Sequence, residues 1–281
     1  MTNDELSLQY HSIRFYNGKY SRKNVNYRIG NTTTVISDEI EKFYDTWIDF
    51  HLIPSERPTV AVPPAVTKVV AVPGRETAID FSDFLTGHPT YGNRSGSWSF
   101  ITDTDYVNSQ GGWISFENRL KQIFHGHVYK VVLVDDPSYF YVGEITLGQW
   151  QTGNSYSGIT MTYSLYPYKK DMVSSMDMWK WDDFDFKNGT ISYTKDLDIS
   201  GSRTIKIIGS PERISPHISG SSGLTIKKQE NGSWVNYGDV PTAAITSNKS
   251  IIPRFVIEEG INNIRVQGTG TITIDYRRGL L

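Results

Sequence analysis

Cysteine is absent from the 281 residues, which excludes a disulfide framework and any thiolate metal site. No window approaches 18 consecutive apolar residues, and the amino-terminal MTNDELSLQYHS lacks the basic and apolar segments of a secretory signal. We therefore expect no membrane insertion and no signal-directed export. Lys and Arg number 28 against 30 Asp and Glu, so neither sign of charge dominates and nucleic-acid binding is not expected.

Aromatic residues, by contrast, are abundant. The chain contains 17 Tyr, 12 Phe and 7 Trp, which supply large side chains for a substantial buried core. With 21% charged residues and a mean hydropathy of -0.39, the composition is that of a folded chain rather than a disordered one. A length of 281 residues fits two domains of ordinary size.

Alternation of apolar and polar residues dominates the chain and predicts half-buried β-strands, because successive side chains of a strand point to opposite faces. Such runs are Ser12–Phe15, Thr59–Val62, Lys68–Val72, Ser97–Ile101, Lys130–Val134 and Ile159–Leu165. Residues 128–171 further read as an antiparallel meander with a turn at Asp135-Asp136-Pro137. The sequence thus predicts a mostly β fold.

Two segments have helical rather than strand periodicity. Residues 113–124 have apolar side chains at helical spacing, with polar side chains between them, and predict a helix. Gly126 follows, a residue that typically ends a helix in the left-handed conformation. Residues 37–47 place Ile40, Phe43, Tyr44 and Trp47 on one face after an acidic start, and they predict a second helix.

The composition changes near residues 168–181, where clean alternation stops and Met residues cluster. We therefore predict two domains, residues 1–170 and residues 171–281. The second contains short strands at regular intervals with Gly or Asn turns between them, a pattern typical of a β-sandwich or jelly roll.

No arrangement of residues predicts catalysis. His125 and His127 form the only close His pair, but a metal site needs further ligands that the neighbouring sequence does not supply. Asp135 and Asp136 are adjacent, whereas glycoside hydrolysis needs two carboxyl groups that face each other across a substrate; they are better explained as a turn. We expect no enzyme, no metal and no cofactor.

Aromatic residues of the second domain offer one binding alternative. Trp234 and Tyr237 could stack on sugar rings, which would make this domain a module that contacts host cell-wall polysaccharide. Core packing or a position beside a turn explains either residue better, and the sequence favours that interpretation.

Several punctuated blocks follow one another along the chain: Trp47 with Pro54–Pro58, Pro73-Gly74, Leu85–Gly87, Tyr91–Arg94, His125-Gly126, Asp135–Pro137 and Pro167–Lys169. In their joint order these blocks resemble the distal tail protein family of long, non-contractile phage tails. The resemblance covers residues 46–170 and includes the carboxy-terminal GINNIRVQGTGTITIDYRRGLL. It departs at Glu144, where many such sequences have Arg, and at residues 75–77, where a Gly is common.

The resemblance implies an amino-terminal β-sandwich domain with a helix and an extended arm, followed by a peripheral galectin-like β-sandwich. It also implies a homohexameric ring at the tail tip of a virion, assembled in the host cytoplasm. The ring would join the tail tube protein to a tail-associated hub or baseplate protein and leave a channel for the tape measure protein and DNA.

The proline-rich and valine-rich segment between residues 46 and 87 is the predicted contact between subunits, since prolines fix φ and reduce the number of unpaired edge donors. Rigid loops within one subunit would explain the same prolines. The interface candidates are Trp47, Phe50, Pro58, Val60, Val62, Val70 and Val72.

Overall fold

The computed structural model describes residues 2–16, 43–71, 73–74, 76–77, 79–80, 82, 88–152, 156–177, 184–185, 190–191 and 193–281. The chain divides into two compact units, Met1–Pro167 and Tyr168–Leu281. The boundary predicted from composition lies a few residues further along, after residue 170.

The first unit contains short helices among longer strands. Its elements are α1 (Asn3–Gln9), β1 (Ile13–Tyr16), β2 (Phe43–Asp45), β3 (Ile53–Pro54), β4 (Val69–Val70), β5 (Ile79–Asp80), β6 (Arg94–Asp103), α2 (Thr104–Ser109), α3 (Trp113–Phe124), β7 (His127–Leu133), β8 (Tyr139–Thr152) and β9 (Tyr156–Leu165).

An antiparallel sheet in the order β2-β1-β7-β8-β9-β6-β3 forms the framework of this unit, and β4 and β5 pair separately. The meander predicted for residues 128–171 is confirmed as β7-β8-β9, with β7 and β8 joined across Asp135 and Asp136. Strand β6 pairs with β9 over its whole length, from Arg94 opposite Leu165 to Asp103 opposite Tyr156, and so extends the meander by a fourth long strand.

The helix predicted for residues 113–124 is confirmed as α3. It buries Phe116, Leu120 and Phe124, packs against β8, and is followed by Gly126 with φ of 75°. Two short helices were not predicted. In α1, Thr2 and Glu5 form a reciprocal capping box, and Asp103 caps α2.

Two sequence predictions are wrong in this unit. Residues 37–42 lie outside the described residues, but Phe43–Asp45 of the second predicted helix form strand β2, paired with β1. In the described part of the chain Thr59–Val62 pairs with no strand, although side-chain hydrogen bonds described below hold its backbone. In both cases long-range contacts override the local pattern.

Aromatic side chains fill the core of the first unit. The ring of Phe124 lies 4.9 Å from that of Phe15, 5.4 Å from Phe50 and 5.7 Å from Tyr129. All four side chains are at most 2% exposed. Edge-to-face contacts of this kind add to the stabilisation from burial alone, so the core joins α3, β1, β7 and the chain that follows β2.

The second unit is an antiparallel β structure with its own core. Its elements are β10 (Lys169–Asp171), β11 (Phe184–Asp185), β12 (Thr190–Ile191), β13 (Leu197–Gly209), β14 (His217–Gly220), β15 (Thr225–Glu230), β16 (Ser233–Asp239), a 3-10 turn at Asn248–Ser250, β17 (Gly260–Asp275) and β18 (Gly279–Leu280). The main sheet has the order β13-β17-β15-β16, with β14 also paired to β17.

The core of the second unit is mostly isoleucine, with Phe255 as its largest fully buried ring. Strand β17 runs through Gly268 and Gly270, which have φ of 126° and 145°. A Cβ atom on Gly268 would lie 2.8 Å from the carbonyl oxygen of Gly223, so glycine lets the neighbouring loop approach this strand closely. Both units therefore confirm the mostly β fold class.

Candidate assembly segment and polar cleft

Residues 59–66, here called the arm, are held to the sheet by side chains rather than by a strand ladder. The indole Nε1 of Trp98 donates to the carbonyl of Thr59 at 2.8 Å. The amide of Ala61 donates to the hydroxyl of Tyr163 at 3.0 Å, and Nη1 of Arg94 donates to the carbonyl of Ala61 at 2.9 Å. These three contacts satisfy backbone groups that would otherwise form an open sheet edge.

The far end of the arm is fixed by backbone contacts. The amide of Gly92 donates to the carbonyl of Pro64 at 2.8 Å, and the amide of Val66 donates to the carbonyl of Thr90 at 2.8 Å. Ala65 and Tyr91 form an antiparallel bridge between these bonds. The arm is therefore a fixed, extended segment whose backbone is already hydrogen-bonded within its own subunit.

Four valine side chains of the arm and of the following strand β4 are exposed to solvent. Val62 is 85% exposed, Val66 51%, Val69 58% and Val70 42%. We call these residues the exposed valines. Single exposed apolar residues are ordinary, but four exposed valines within residues 62–70 are a dense local cluster of apolar side chains.

The other predicted interface residues occupy different positions. Phe50 and Pro58 are buried in their own unit and are not available to a neighbouring subunit. Val60 is partly buried against the core. Trp47 is partly buried too, where it stacks on Tyr10 with ring centroids 3.9 Å apart. Val72 lies outside the described residues. Of the predicted set, Val62 and Val70 are exposed, and so are Val66 and Val69, which the sequence analysis did not name.

Arg94 is a buried cation in the attachment of the arm. Its side chain is 4% exposed, and besides Ala61 it donates from Nε to the carbonyl of Pro167 at 2.7 Å. Its guanidinium lies 5.6 Å from the ring centroid of Tyr141. No carboxylate pairs with it in the described part of the chain, and burial lowers the pKa of Arg94. Carbonyl oxygens and an aromatic face thus replace a counterion.

Gly96 makes room for the tyrosine that holds the arm. It lies directly opposite Tyr163 in the β6-β9 ladder, and a Cβ atom at this position would overlap the hydroxyl end of the Tyr163 ring. That ring is 4% exposed and packs on Trp98 with centroids 4.3 Å apart, so it has little space to move.

Replacing Gly96 by Ala is expected to displace Tyr163 and release the Ala61 amide. Overpacking of this kind costs about 1–3 kcal/mol of unfolding free energy. Amide hydrogen exchange at Ala61 should accelerate together with that loss. Gly158→Ala is the matched control on the neighbouring strand, because its added Cβ would meet only ordinary contact, 3.5 Å from the carbonyl of Phe100. Unchanged exchange at Ala61 in Gly96→Ala would contradict the role given to Tyr163.

The chain entering the arm is anchored at Asp135, in the turn between β7 and β8. Nε of Arg57 lies 2.8 Å from Oδ2 of Asp135, and Nδ1 of His11 lies 2.9 Å from the same carboxylate. Burial alone would raise the pKa of Asp135, but the hydrogen bonds from His11 and Arg57 outweigh it and lower that pKa.

This anchor predicts a loss of stability in acid. Because the folded pKa of Asp135 lies below its ordinary value, its contribution is present above that ordinary value and is lost as pH falls through the folded pKa. We expect Asp135→Asn to reduce the urea unfolding free energy by about 1 kcal/mol or less at pH 6, since His11 and Arg57 are largely exposed. The difference from wild type should shrink as the pH falls below the ordinary pKa of Asp and through the lowered pKa of folded Asp135; a constant difference would contradict the assignment.

A polar cleft of about 840 Å³ lies in the second unit, between the β15-β16 hairpin and the segments around residues 213 and 253–258. Its lining residues are Arg213, Lys228, Gln229, Glu230, Asn231, Val235, Asn236, Tyr237, Pro253, Arg254, Val256 and Glu258. Most of the lining side chains are charged or carry amides, so the cleft differs from the largely apolar pockets that bind hydrophobic ligands.

Four charged side chains of alternating sign, followed by the hydroxyl of Tyr237, form a connected series, here called the charge ladder. Arg213 pairs with Glu258. Nζ of Lys228 lies 3.4 Å from Glu258 and 4.0 Å from Glu230. The hydroxyl of Tyr237 donates to Glu230. The hydrogen bond from Arg213 lowers the pKa of Glu258, whereas burial and the contact with Glu230 raise the pKa of Tyr237 to about 12.

The two predicted sugar-contact residues have different surroundings in the β15-β16 hairpin. Tyr237 lines the cleft and packs edge-on against Phe255 with ring centroids 5.0 Å apart. Trp234 is paired with Gln229, one position from the Lys228–Val235 pair, so it lies on the other face of the hairpin. There the guanidinium of Arg265 covers its ring at 3.9 Å. Trp234 is thus engaged within the chain, and the cleft uses charged groups that the sequence had not indicated.

The histidines and the helices of the described residues form neither a metal site nor a membrane span. In the described ranges, no three His, Asp or Glu side chains come together as metal ligands. His125 instead accepts a hydrogen bond at Nδ1 from the amide of Leu147 at 3.2 Å. No helix among the described residues is long and apolar enough to cross a membrane.

Comparison with known proteins places this geometry in context. No family model matches the chain, and no curated protein matches it in sequence. A solved structure does match: the crystal structure of the Dit protein (gp 19.1) of SPP1, a paradigm of the hub adsorption apparatus in phages that infect Gram-positive bacteria. The TM-score is 0.50 at 12% identity, over 82% of this chain and 94% of the SPP1 chain. The chain has a Dit-like fold.

The extent of the match is informative. The first unit ends at Pro167 of 281 residues, so an alignment over 82% of the chain extends into both units. At 12% identity the likeness to Dit concerns the fold, and any shared role has to be argued from the surfaces of this chain.

Proposed function

We propose that this protein is a structural component of a phage tail, in which six copies close into a ring at the tail tip. The ring joins the tail tube protein to a tail-associated hub or baseplate protein and leaves a channel for the tape measure protein and DNA. The Dit-like fold supports the tail role. The observation that carries the ring is the set of exposed valines on the arm and on strand β4.

The arm suits a contact with another subunit because it is already ordered. Its backbone bonds to Trp98, Tyr163 and Arg94 are made within one chain, so little conformational entropy is lost when a neighbour covers it. Each covered valine gains about 25 cal/mol for every Å² of apolar surface removed from water. The exposed valines therefore favour association without a preceding folding step.

Ring closure requires two different surfaces on each subunit. A contact between the arm of one copy and another face of the next is heterologous, and such contacts give a closed ring when the rotation between copies divides a full turn. Stable contacts of this type usually bury more than roughly 2,000 Å² and are apolar at the centre. The exposed valines supply the centre of one of these two surfaces.

No reaction belongs to this proposal. Asp135, one of the two adjacent carboxylates considered in the sequence analysis, binds Arg57 and His11 close to the start of the arm, which is a structural contact. The function is assembly and passage, in which the ring sets the symmetry for the tube on one side and docks a tail-associated protein on the other.

The native mass of the purified protein tests the proposal. Light scattering across a size-exclusion peak is expected to give about six times the chain mass of 31.8 kDa. Negative-stain images of the same peak should show annular particles with a central hole. A mass of one chain at every concentration, with no annular particles, would contradict self-assembly into a ring.

A further inference from the structure

We propose that the polar cleft of the second unit is a binding site for an acidic saccharide, in which Arg254 and Lys228 bind the acid group and Glu230 and Glu258 accept hydrogen bonds from sugar hydroxyls. The cleft lies wholly within Tyr168–Leu281, so this inference goes beyond the proposed ring and does not depend on it.

Lys228 is the first observation. Its side chain is 3% exposed and lines the cleft. An ammonium group has three donors and its hydrogen bonds normally measure about 2.7–3.2 Å, but Nζ of Lys228 lies 3.4 Å from Glu258 and 4.0 Å from Glu230. The two carboxylates occupy at most two of these three donors, so Lys228 has donor capacity left in the cleft that it lines. An oxygen atom of a ligand would complete its hydrogen bonding.

Arg254 is the second observation. It is exposed at the cleft and makes no hydrogen bond or ion pair within the described part of the chain. Its φ is 65°, in the left-handed region that disfavours every residue with a Cβ atom except Asn and Asp. Glycine would fit this turn with less strain, so the position carries an unpaired guanidinium against local preference. Strain of this kind is characteristic of binding sites.

The composition of the cleft favours a sugar over other anions. Arg213, Lys228 and Arg254 carry three positive charges against the two negative charges of Glu230 and Glu258, which leaves one positive charge for an acid group. The carboxylates and the neighbouring amide side chains bind hydroxyl groups. The volume of about 840 Å³ falls within the range of about 300–1,000 Å³ found for small-ligand sites.

An acidic peptide fits these charges less well. A run of carboxylates would meet Glu230 and Glu258 as well as the cations, and like charges in one cleft repel each other. A saccharide with one acid group among many hydroxyls matches the alternation of donors and acceptors in the charge ladder. The aromatic ring of Tyr237, which lines the cleft, can supply the apolar contact that one face of a sugar ring needs.

Isothermal titration of the full chain tests the proposal. The acidic ligands are a tetrasaccharide of alternating glucuronic acid and N-acetylglucosamine, which carries carboxylates, and glucose 1-phosphate, which carries a phosphate; the neutral comparisons are the carboxyl-reduced tetrasaccharide and glucose. We expect at least one acidic ligand to bind, and its neutral comparison to bind at least about tenfold more weakly, because a charge-assisted hydrogen bond is lost. Which acidic ligand binds decides between a carboxylate and a phosphate.

Substitution of Arg254 separates binding from folding. Arg254→Gly should weaken binding at least about tenfold while its Tm stays equal to that of wild type or rises, because glycine relieves the left-handed backbone. Lys206→Ala removes an exposed cation on β13, outside the cleft, and should bind as wild type does. The proposal is overturned if neither acidic ligand binds, if Arg254→Gly binds as tightly as wild type, or if tetraglutamate binds more tightly than both sugars.

Discussion

The double variant Val62→Asp with Val70→Asp is expected to elute as a single chain of 31.8 kDa, whereas the wild-type sequence elutes at about six times that mass. Both side chains are exposed, so the substitutions leave the fold of the unit intact. In a closed ring each new carboxylate would be buried against apolar surface, at a cost of several kcal/mol per site. Light scattering on a size-exclusion peak measures the difference directly.

A control with the same added charge keeps this test specific. Val173 is 43% exposed and Ile261 53% exposed, and both belong to the second unit. The double variant Val173→Asp with Ile261→Asp should retain the wild-type mass. If the Val62→Asp/Val70→Asp variant also remained a hexamer, the exposed valines would not lie in the contact between subunits. If the control dissociated as readily, net charge rather than the arm would govern assembly.

The local sequence pattern predicts correctly those elements whose structure is decided by residues close to them in the chain. Alternation in β7, β8 and β9 and helical spacing in α3 lead to the observed elements, because a turn or a glycine bounds each of them. Phe43–Asp45 shows where this fails. Its helical spacing is outweighed by antiparallel pairing with β1, which places Tyr44 opposite Phe15. The partner strand lies some thirty residues away, so no local window contains the deciding contact.

The arm shows a second limit of the sequence. Phe50 and Val62 are both apolar residues in one proline-rich segment, yet the first is fully buried and the second is 85% exposed. What separates them is the attachment of the arm by Trp98, Arg94 and Tyr163, at positions 33 to 102 residues from the backbone groups they bind. Composition indicates that the segment is unusual, but only the tertiary contacts show which side chains face outward.

The polar cleft could not have been predicted from spacing. Glu258 meets Arg213, 45 residues before it, and Lys228, 30 residues before it, through pairing of strands and loops that are distant in sequence. Tyr237 was a candidate only because it is aromatic, whereas its place in the cleft depends on its contacts with Glu230 and Phe255. The sequence likewise does not show that Arg254 lines this cleft with a positive φ; both facts come from the tertiary structure.

Phe124→Ala is expected to give the largest loss of stability, and only in the first unit. The side chain is fully buried and its ring contacts those of Phe15, Phe50 and Tyr129. Truncating such a residue removes apolar burial and leaves a cavity, at a cost of about 3–5 kcal/mol. Because Phe50 enters the same cluster shortly before the arm begins, the loss should also increase hydrogen exchange at Ala61. Calorimetry in the Val62→Asp/Val70→Asp background avoids coupling between unfolding and dissociation.

Phe255→Ala provides the reciprocal test in the second unit, where Phe255 is 1% exposed among isoleucines and packs against Tyr237. Since the two cores share no residue, each substitution should lower one calorimetric transition by many degrees and leave the other nearly unchanged. Phe255→Ala should also weaken saccharide binding, because Tyr237 loses its support, whereas Phe124→Ala should not. If both substitutions lowered a single common transition, the units would unfold as one cooperative body, and assembly through the arm and binding in the cleft would be coupled through stability.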